Sequence, residues 1–355
     1  MFDNLLGKQP LIGLDIGQSA IKLATLGKGK KGTYTLKSFS FAPLSESAIL
    51  EEEINDRTQI IEQIRSAFKE GGFKNKDVCF GLAGSGSIVK SMKSPEGSKD
   101  DIENHIHWEA EQFIPFGMEN AEVSLHIMPK DNELNRDVVM AAAKIQDIAR
   151  YQEIIFSSGL KMKTVDLQVL SLINIFEHNY SDYLHEYKDG TLIIDFGAQS
   201  TKVIVYRNGL PILVKTIIMG GVNSTEEIQK EVGIDFNQAE DLKKMNQTET
   251  KYPDEVLAAI KKVSKSIISK VVDAVAFYTS ANSEDRIKHC FITGGCSRQP
   301  GIIEDLIEEL DISVETLDPL RKISVSSKGN ISDGIIDYLT YSGAVCLGLG
   351  LRAYD

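Results

Sequence analysis

Residues 11–26 read LIGLDIGQSAIKLATL and residues 191–206 read TLIIDFGAQSTKVIVY. Alignment puts Asp15 on Asp195, Gly17 on Gly197 and Lys22 on Lys202, in one shared pattern: apolar run, Asp, any residue, Gly, four residues, Lys, apolar run. The runs are rich in Ile, Leu and Val, which predicts strands, and the Gly between them predicts a tight turn. Each unit is therefore expected to be a β-hairpin with a carboxylate at its rim. An Asp near a Gly is a common way to open a hairpin, so one copy would mean little more than a turn. Two copies, one in each half of the chain, point to an internal duplication.

Two further pairs keep the same order. KDVCFGLAGSG (76–86) and KHCFITGGCSRQPG (288–301) each run from a short apolar strand into a Gly-rich turn. VDLQVLSLINIFEHN (165–179) and YSGAVCLGLGL (341–351) are apolar helical stretches. Unequal spacing then marks insertions, over 89–165 in the first half and as a polar helical block over 223–270 in the second. The expected architecture is α/β with two related lobes. Residues 1–88, 166–190 and 341–355 form the first lobe, 89–165 an inserted subdomain, and 191–340 the second lobe, with 223–270 as its smaller helical part.

Local signals fill in that plan. Residues 49–72 carry Ile60, Ile61, Ile64, Ala67 and Phe68 at helical spacing, with Glu51, Glu52 and Glu53 expected in the first turn and Gly71-Gly72 at the end. Ser98 suits a helix N-cap and Pro115 a stop. EVSLHIMP and DVVMAAA are expected to be strands, followed by a helix from Ile145 to Ser157.

Composition bounds the function. The chain has 355 residues, 42% apolar and 25% charged, which suits a soluble protein of two domains or of one fold with two lobes and insertions. Its 51 acids against 39 bases give a net charge of -12, a field that repels nucleic acid and anionic lipid. The apolar stretch from Tyr338 to Leu351 is shorter than the roughly 20 residues that span a bilayer, so no direct membrane insertion is expected. MFDNLLGKQPL lacks the pattern of a secretory leader, which makes the expected location cytoplasmic. Cys79, Cys290, Cys296 and Cys346 show no paired CxxC spacing and are expected to be free thiols. His105 and His107, two apart on a helix, face different ways and make a poor metal pair. GKGKKG (27–32) lacks the phosphate-loop spacing and is expected to be a solvated hairpin tip.

A tight turn after an Asp presents free backbone N–H groups in one direction, a nest for phosphate oxygens. Two such turns facing each other would clamp a polyphosphate, with Asp15 and Asp195 on either side of a cation. Mg2+ suits that place, since it takes only one or two carboxylates beside phosphate oxygens and water. Lys22 would supply compensating positive charge near the phosphates, in place of an arginine clamp. Gly294-Gly295, followed by Ser297 and Gly301, either lets a nucleoside lie against the backbone or serves a strand-to-helix turn that needs positive φ.

LIGLDIGQSAIKLA, LIIDFGAQSTKVIVY, FITGGCSRQPG and SGAVCLGLGL resemble, in that order, the first phosphate, second phosphate, adenosine and closing-helix motifs of the actin, hexokinase and heat-shock chaperone ATPase superfamily. GSGSIVKSMKSPE, HWEAEQFIPFG and TIIMGGVNSTEEI resemble the PilM family of type IV pilus assembly proteins, and EAEQFIPF is the most specific of these. The resemblance implies an actin-like, ribonuclease H-like duplicated fold with an FtsA-type inserted subdomain. It implies ATP and Mg2+ as ligands. Asp15, Gly17, Gln18, Ser19 and Lys22 match the first phosphate motif, and Asp195, Gly197, Gln199, Ser200 and Thr201 the second, with Asp15 and Asp195 at the metal. Gly220, Gly221, Gly294, Gly295 and Ser297 fall on positions facing ribose and adenine, and Glu240 and Lys243 on the acid and base beside them. Gln168 or Asp166 would position an attacking water, so at most a slow ATPase is implied.

The partners implied are the N-terminal cytoplasmic peptide of PilN, bound in a groove beside the inserted subdomain, and other inner-membrane components of the pilus machinery. Self-association is left open. Such contacts would hold the chain at the inner face of the inner membrane through protein alone. Two alternatives remain at this point. An FtsA-like division protein normally ends in a basic amphipathic helix, which is not seen after LGLGLRAYD. A small-molecule kinase needs an acid beside its acceptor, for which Asp166 is the one candidate.

Overall fold

A computed structural model describes residues 10–50, 52–129, 135–186, 189–244, 253–282, 286–327 and 331–354. The first half runs β1 (Ile12–Ile16), β2 (Ala20–Lys28), β3 (Tyr34–Pro43), a small hairpin of β4 (Ile49–Leu50) and β5 (Glu53–Ile54), α1 (Arg57–Glu70), β6 (Asp77–Leu82), β7 (Ser87–Pro95), α2 (Lys99–Ala110), β8 (Ala121–Ile127), β9 (Asn135–Lys144), α3 (Ile145–Ser157), β10 (Lys161–Leu167) and α4 (Gln168–Glu186). The second half runs β11 (Gly190–Phe196), β12 (Thr201–Arg207), β13 (Leu210–Ile217), α5 (Gly221–Val232), α6 (Phe236–Lys244), α7 (Asp254–Ala281), β14 (Ile287–Thr293), α8 (Ile302–Leu310), β15 (Ser313–Thr316), β16 (Ile323–Val325), α9 (Asp333–Ser342) and α10 (Ala344–Leu351).

The duplication is visible in the strand order. One sheet is β10-β6-β1-β2-β3-β16 and the other β13-β12-β11-β14-β15. In each, an antiparallel three-strand meander continues into parallel strands on the side of its first strand. The register repeats as well: Asp15 lies opposite Lys22, and Asp195 opposite Lys202. β1 and β11 are buried along their whole length, as expected of central strands covered on both faces.

Between the sheets lie α4 and α10. Their core joins Leu172, Ile175 and Phe176 of α4 and Leu347 and Leu351 of α10 to Ala24 and Leu36 of the first sheet and Ile193, Ile204 and Phe291 of the second. One apolar cluster thus belongs to both lobes. All eight residues of α10 are buried, and burial of each large side chain there is worth about 1.5–3 kcal/mol. The second sheet's outer face packs on α7 and α8 through Ile267, Val271, Ile302 and Leu306. Among the described residues no single helix is long and apolar enough to cross a membrane. The bent pair of α9 and α10 has the composition, but α10 is core.

The inserted subdomain is the sheet β7-β9-β8 with α2 packed on it through Ile102, Ile106 and Ala110. Its extent departs from the 89–165 expected. α3 packs its Ile154 and Ile155 into the first-lobe core, and β10 extends the first sheet beside β6, so the chain is back in the first lobe from 145 onward. Likewise β16, within the stretch assigned to the second lobe, pairs with β3 of the first.

Ser98 caps α2 in a reciprocal capping box with Asp101, as expected. The helix ends at Ala110, short of Pro115, so the proline follows the stop and does not cause it. α1 begins at Arg57 under an Asp56 cap, not near 49. The acids meant for its first turn lie elsewhere: Glu52 occupies the β4–β5 turn at φ +70° and Glu53 is in β5, while Glu51 lies outside the described residues. Helical spacing alone could not see that Asp56 stops the periodicity from extending backwards.

α10 crosses α4 closely because Gly348 has no side chain: a Cβ there would stand 1.9 Å from the Ser171 carbonyl oxygen. Gly348→Ala is expected to lower the unfolding free energy by about 2 kcal/mol or more, measured by urea unfolding.

Candidate functional site

The first hairpin places Asp15 near the end of β1. Lys22 Nζ of β2 donates to Asp15 Oδ2 at 3.0 Å, and Gln168 Nε2, at the first residue of α4, donates to Oδ1 at 3.1 Å. The second hairpin repeats the ion pair, with Lys202 Nζ 2.9 Å from Asp195 Oδ2. Asp15, Lys22 and Asp195 are buried, and Lys202 is mostly so. Burial alone would lower the Lys22 pKa, but the Asp15 carboxylate more than reverses it, and the net shift is upward. Lys22 therefore stays charged at neutral pH. A raised lysine pKa stabilises the fold at neutral pH, and the contribution is lost only as pH climbs through the folded value.

The turns after the two aspartates match. Gly17 N donates to Ala20 O and Gly197 N to Ser200 O, at 3.1 and 3.0 Å. Their tips meet across the lobes: Gln199 N donates to Gln18 Oε1 at 3.1 Å, and Gln199 Nε2 donates to Ile49 O at 2.7 Å. Asp15 and Asp195 thus stand behind two turns that face each other. Ser19 lies in the first turn, where its carbonyl accepts from Leu44 N.

Glycines clasp the second turn. A Cβ on Gly220 would lie 2.5 Å from Gly197 O, and one on Gly294, which sits at φ +93°, would lie 2.3 Å from Phe196 O and 2.6 Å from Asp195 Oδ1. Close backbone packing thus explains Gly220 and Gly294 without a ligand. Gly221 is held against Cys296, and its carbonyl accepts from Lys243 Nζ at 2.9 Å. Lys243 also donates to Thr225 Oγ1 at 2.7 Å and pairs with Glu240 at 2.5 Å, so Glu240, Lys243 and Thr225 form one cluster at the start of α5. Burial raises the Glu240 pKa, but Lys243 outweighs it and the net shift is downward.

Several of the expected site residues have partners within the protein. Lys22 acts first as the partner of Asp15, because its ammonium lies directly opposite on the neighbouring strand. The hydroxyls of Ser297 and Thr201 are committed to Gly294 O and Met219 O, and so serve the local turns. Asp166 lies 3.0 Å from Arg352 Nε and accepts from Leu167 N, while Gln168 alone of the two contacts Asp15. Gly295 lies in the same turn as Gly294, near Ser342. Lys202, Thr225 and Cys296 were missed. Lys202 was readable from the duplication, whereas Thr225 and Cys296 enter through tertiary packing and leave no pattern in sequence.

Among the described residues no group of three or more His, Cys, Asp or Glu side chains could hold a metal. A cation at Asp15 and Asp195 would therefore take most of its ligands from phosphate oxygens and water, which fits Mg2+. A separate cavity of about 530 Å3 lies between β13 and α7, lined by Leu213, Ile218, Met219, Ala274 and Phe277. Lys215, Thr216, Lys270 and Asp273 also line it, and it carries neither of the paired aspartates.

The family described as "Type IV pilus assembly protein PilM" matches residues 13–354. A solved structure described as a "PilM-PilN type IV pilus biogenesis complex" is similar at a TM-score of 0.84 and 22% identity, over 98% of this chain and 99% of that one. The ethanolamine utilization protein EutJ from Carboxydothermus hydrogenoformans is similar at 0.54 and 13%, over 99% and 93%. An archaeal actin homolog, Ta0583, aligns at 0.48 and 13%, over 97% and 99%. The expected actin-like class is borne out, with the repeated strand order as its physical basis.

Breaking a buried ion pair leaves one charge stranded. Asp15→Leu is expected to destabilise the fold by about 3–5 kcal/mol, and the double variant Asp15→Leu/Lys22→Met to regain most of that, measured by chemical unfolding with Lys22→Met completing the double-mutant cycle.

Proposed function

The chain belongs to the PilM family of type IV pilus assembly proteins, and we propose that it serves pilus assembly as an ATP-binding scaffold that captures the N-terminal cytoplasmic tail of PilN. The carrying observation is the meeting of the two turns at Gln18 and Gln199, each backed by a buried Asp–Lys pair. In this reading the backbone N–H groups of the two turns, among them those of Ser19, Gln199 and Ser200 beyond the turn-closing amides of Gly17 and Gly197, hold phosphate oxygens. Asp15 and Asp195 would hold hydrated Mg2+, which when bound would neutralise phosphate charge. Lys243 and Glu240 meet the sugar. Lys22 and Lys202 hold and aim each aspartate. Gln168, with its amide on Asp15, orients a water for slow hydrolysis.

The similar solved complex pairs PilM with PilN, and we extend that pairing to this chain. An extended peptide beside the inserted subdomain would tether the protein to the inner face of the inner membrane and to other inner-membrane pilus components. The family match favours this reading over an FtsA-like division protein or a small-molecule kinase.

Calorimetric titration of the full chain with Mg·ATP is expected to give one site per chain. Gly221→Val, whose side chain would strike Cys296 Sγ, should weaken it by about tenfold or more, roughly 1.4 kcal/mol. Absence of binding by the parent protein retires the nucleotide reading. Gln168→Ala is expected to retain ATP but slow its hydrolysis by about 100-fold; a parental rate removes Gln168 from the role. Capture of a PilN N-terminal peptide, compared with ATP, with ADP and without nucleotide, tests the scaffold. Equal capture in all three would exclude coupling, and no capture would exclude PilN.

A further inference from the structure

Among the described residues Glu52, like Asn208 and Asp311, is a non-glycine residue at positive φ, here +70°, a conformation that costs energy and persists only where surroundings enforce it. Its carboxylate is what the surroundings hold. Glu52 Oε2 accepts from Ser85 N at 2.7 Å and lies against Gly84, itself at φ +97°, where a Cβ would stand 3.0 Å from the carboxylate. Residues 84–86 are the turn through which the chain leaves the first sheet for the inserted subdomain. Gly84 O accepts from the amide and the hydroxyl of Ser87, the first residue of β7, and Gly86 O accepts from Lys144 N at the far end of β9. One turn therefore gathers both strands by which the subdomain is attached, and Glu52 grips it.

The other end of the same hairpin reaches the phosphate turns. Ile49 of β4, paired with Ile54 of β5, receives the Gln199 side-chain amide. The neighbouring backbone amide of Gln199 is capped by Gln18 Oε1. That N–H faces the other lobe and would receive a phosphate oxygen in the reading above. Glu53 adds a tie from the hairpin to α3 through Arg150 Nη1 at 2.9 Å.

We propose that the β4–β5 hairpin is a relay between the nucleotide turns and the inserted subdomain, with Glu52 as its positioning residue. The inference rests on the nucleotide reading for its trigger but not for its mechanics. With Gln18 Oε1 on Gln199 N, the second-lobe turn is latched to the first lobe and Ile49 is held. A phosphate oxygen taking that N–H displaces Gln18, shifts the Gln199 side chain on Ile49 and moves the hairpin. Glu52 then carries the shift to the 84–86 turn. The two states differ in which oxygen caps one backbone amide, so anion binding has a differential contact with which to move the equilibrium.

Hydrogen exchange of the full chain, read by peptide, tests both halves. In nucleotide-free protein Gln199→Ala is expected to speed exchange across 49–54 and 84–89 by about threefold or more. No change at 84–89 overturns the relay, whether or not nucleotide binds. In the parent, Mg·ATP is expected to alter exchange at 84–95. Glu52→Ala should abolish that response while keeping ATP affinity within about threefold, and Glu52→Gln, which retains the acceptor, should restore it. A response that survives Glu52→Ala, or ATP bound by the parent with none at 84–95, overturns the proposal. If the parent binds no ATP, the nucleotide trigger falls, and the Gln199→Ala comparison still decides the mechanics.

Discussion

Each lobe is built around an aspartate that is buried at the end of a central strand and held by a lysine on the strand beside it. A buried carboxylate is tolerated only when paired, and pairing at the register position opposite fixes both strands of the hairpin. The tight turn that follows leaves backbone donors pointing out of the strand end. The same requirement therefore stabilises each lobe and prepares its turn for an anion. The two lobes repeat it nearly atom for atom, at 3.0 and 2.9 Å.

The duplication was legible because hairpin chemistry is local. Asp, Gly and Lys at fixed spacing between apolar runs determine a turn, a register and a pair, and all three appear as read. Gln168 was legible only as a residue near the start of a connecting helix; its contact with Asp15 needs the parallel packing of β1, β6 and β10 that brings α4 there. Asp166 looked equivalent in sequence. Arg352, far along the chain, pairs with it at 3.0 Å, and no local pattern announces a partner so remote.

The misjudged edges share a cause. The helical spacing of Ile60, Ile61 and Ile64 is real, but it does not say where the first turn begins, and the capping carboxylate of Asp56 does. Likewise the insertion was bounded by where the internal similarity lapsed. The chain returns to the first sheet earlier, because α3 and β10 complete that sheet's own core although they match nothing obvious in the other half. Several glycines assigned to ligand contact are explained by the packing of one turn upon another. Sequence identifies a position where no side chain fits, without saying what fills the space.

The apolar cluster around α4 and α10 belongs to both sheets at once, with Phe176 against Phe291 and Tyr206 at ring separations of 5.1 and 5.8 Å. Prising the lobes apart like a clam would flood those rings with water. Swivelling about the crossed pair, as about an axle, keeps them dry and moves mainly the rims, where the facing turns and the Ser91–Pro211 contact between β7 and β13 lie. Torsion about that pair is therefore the relative movement of the lobes that costs least buried apolar contact.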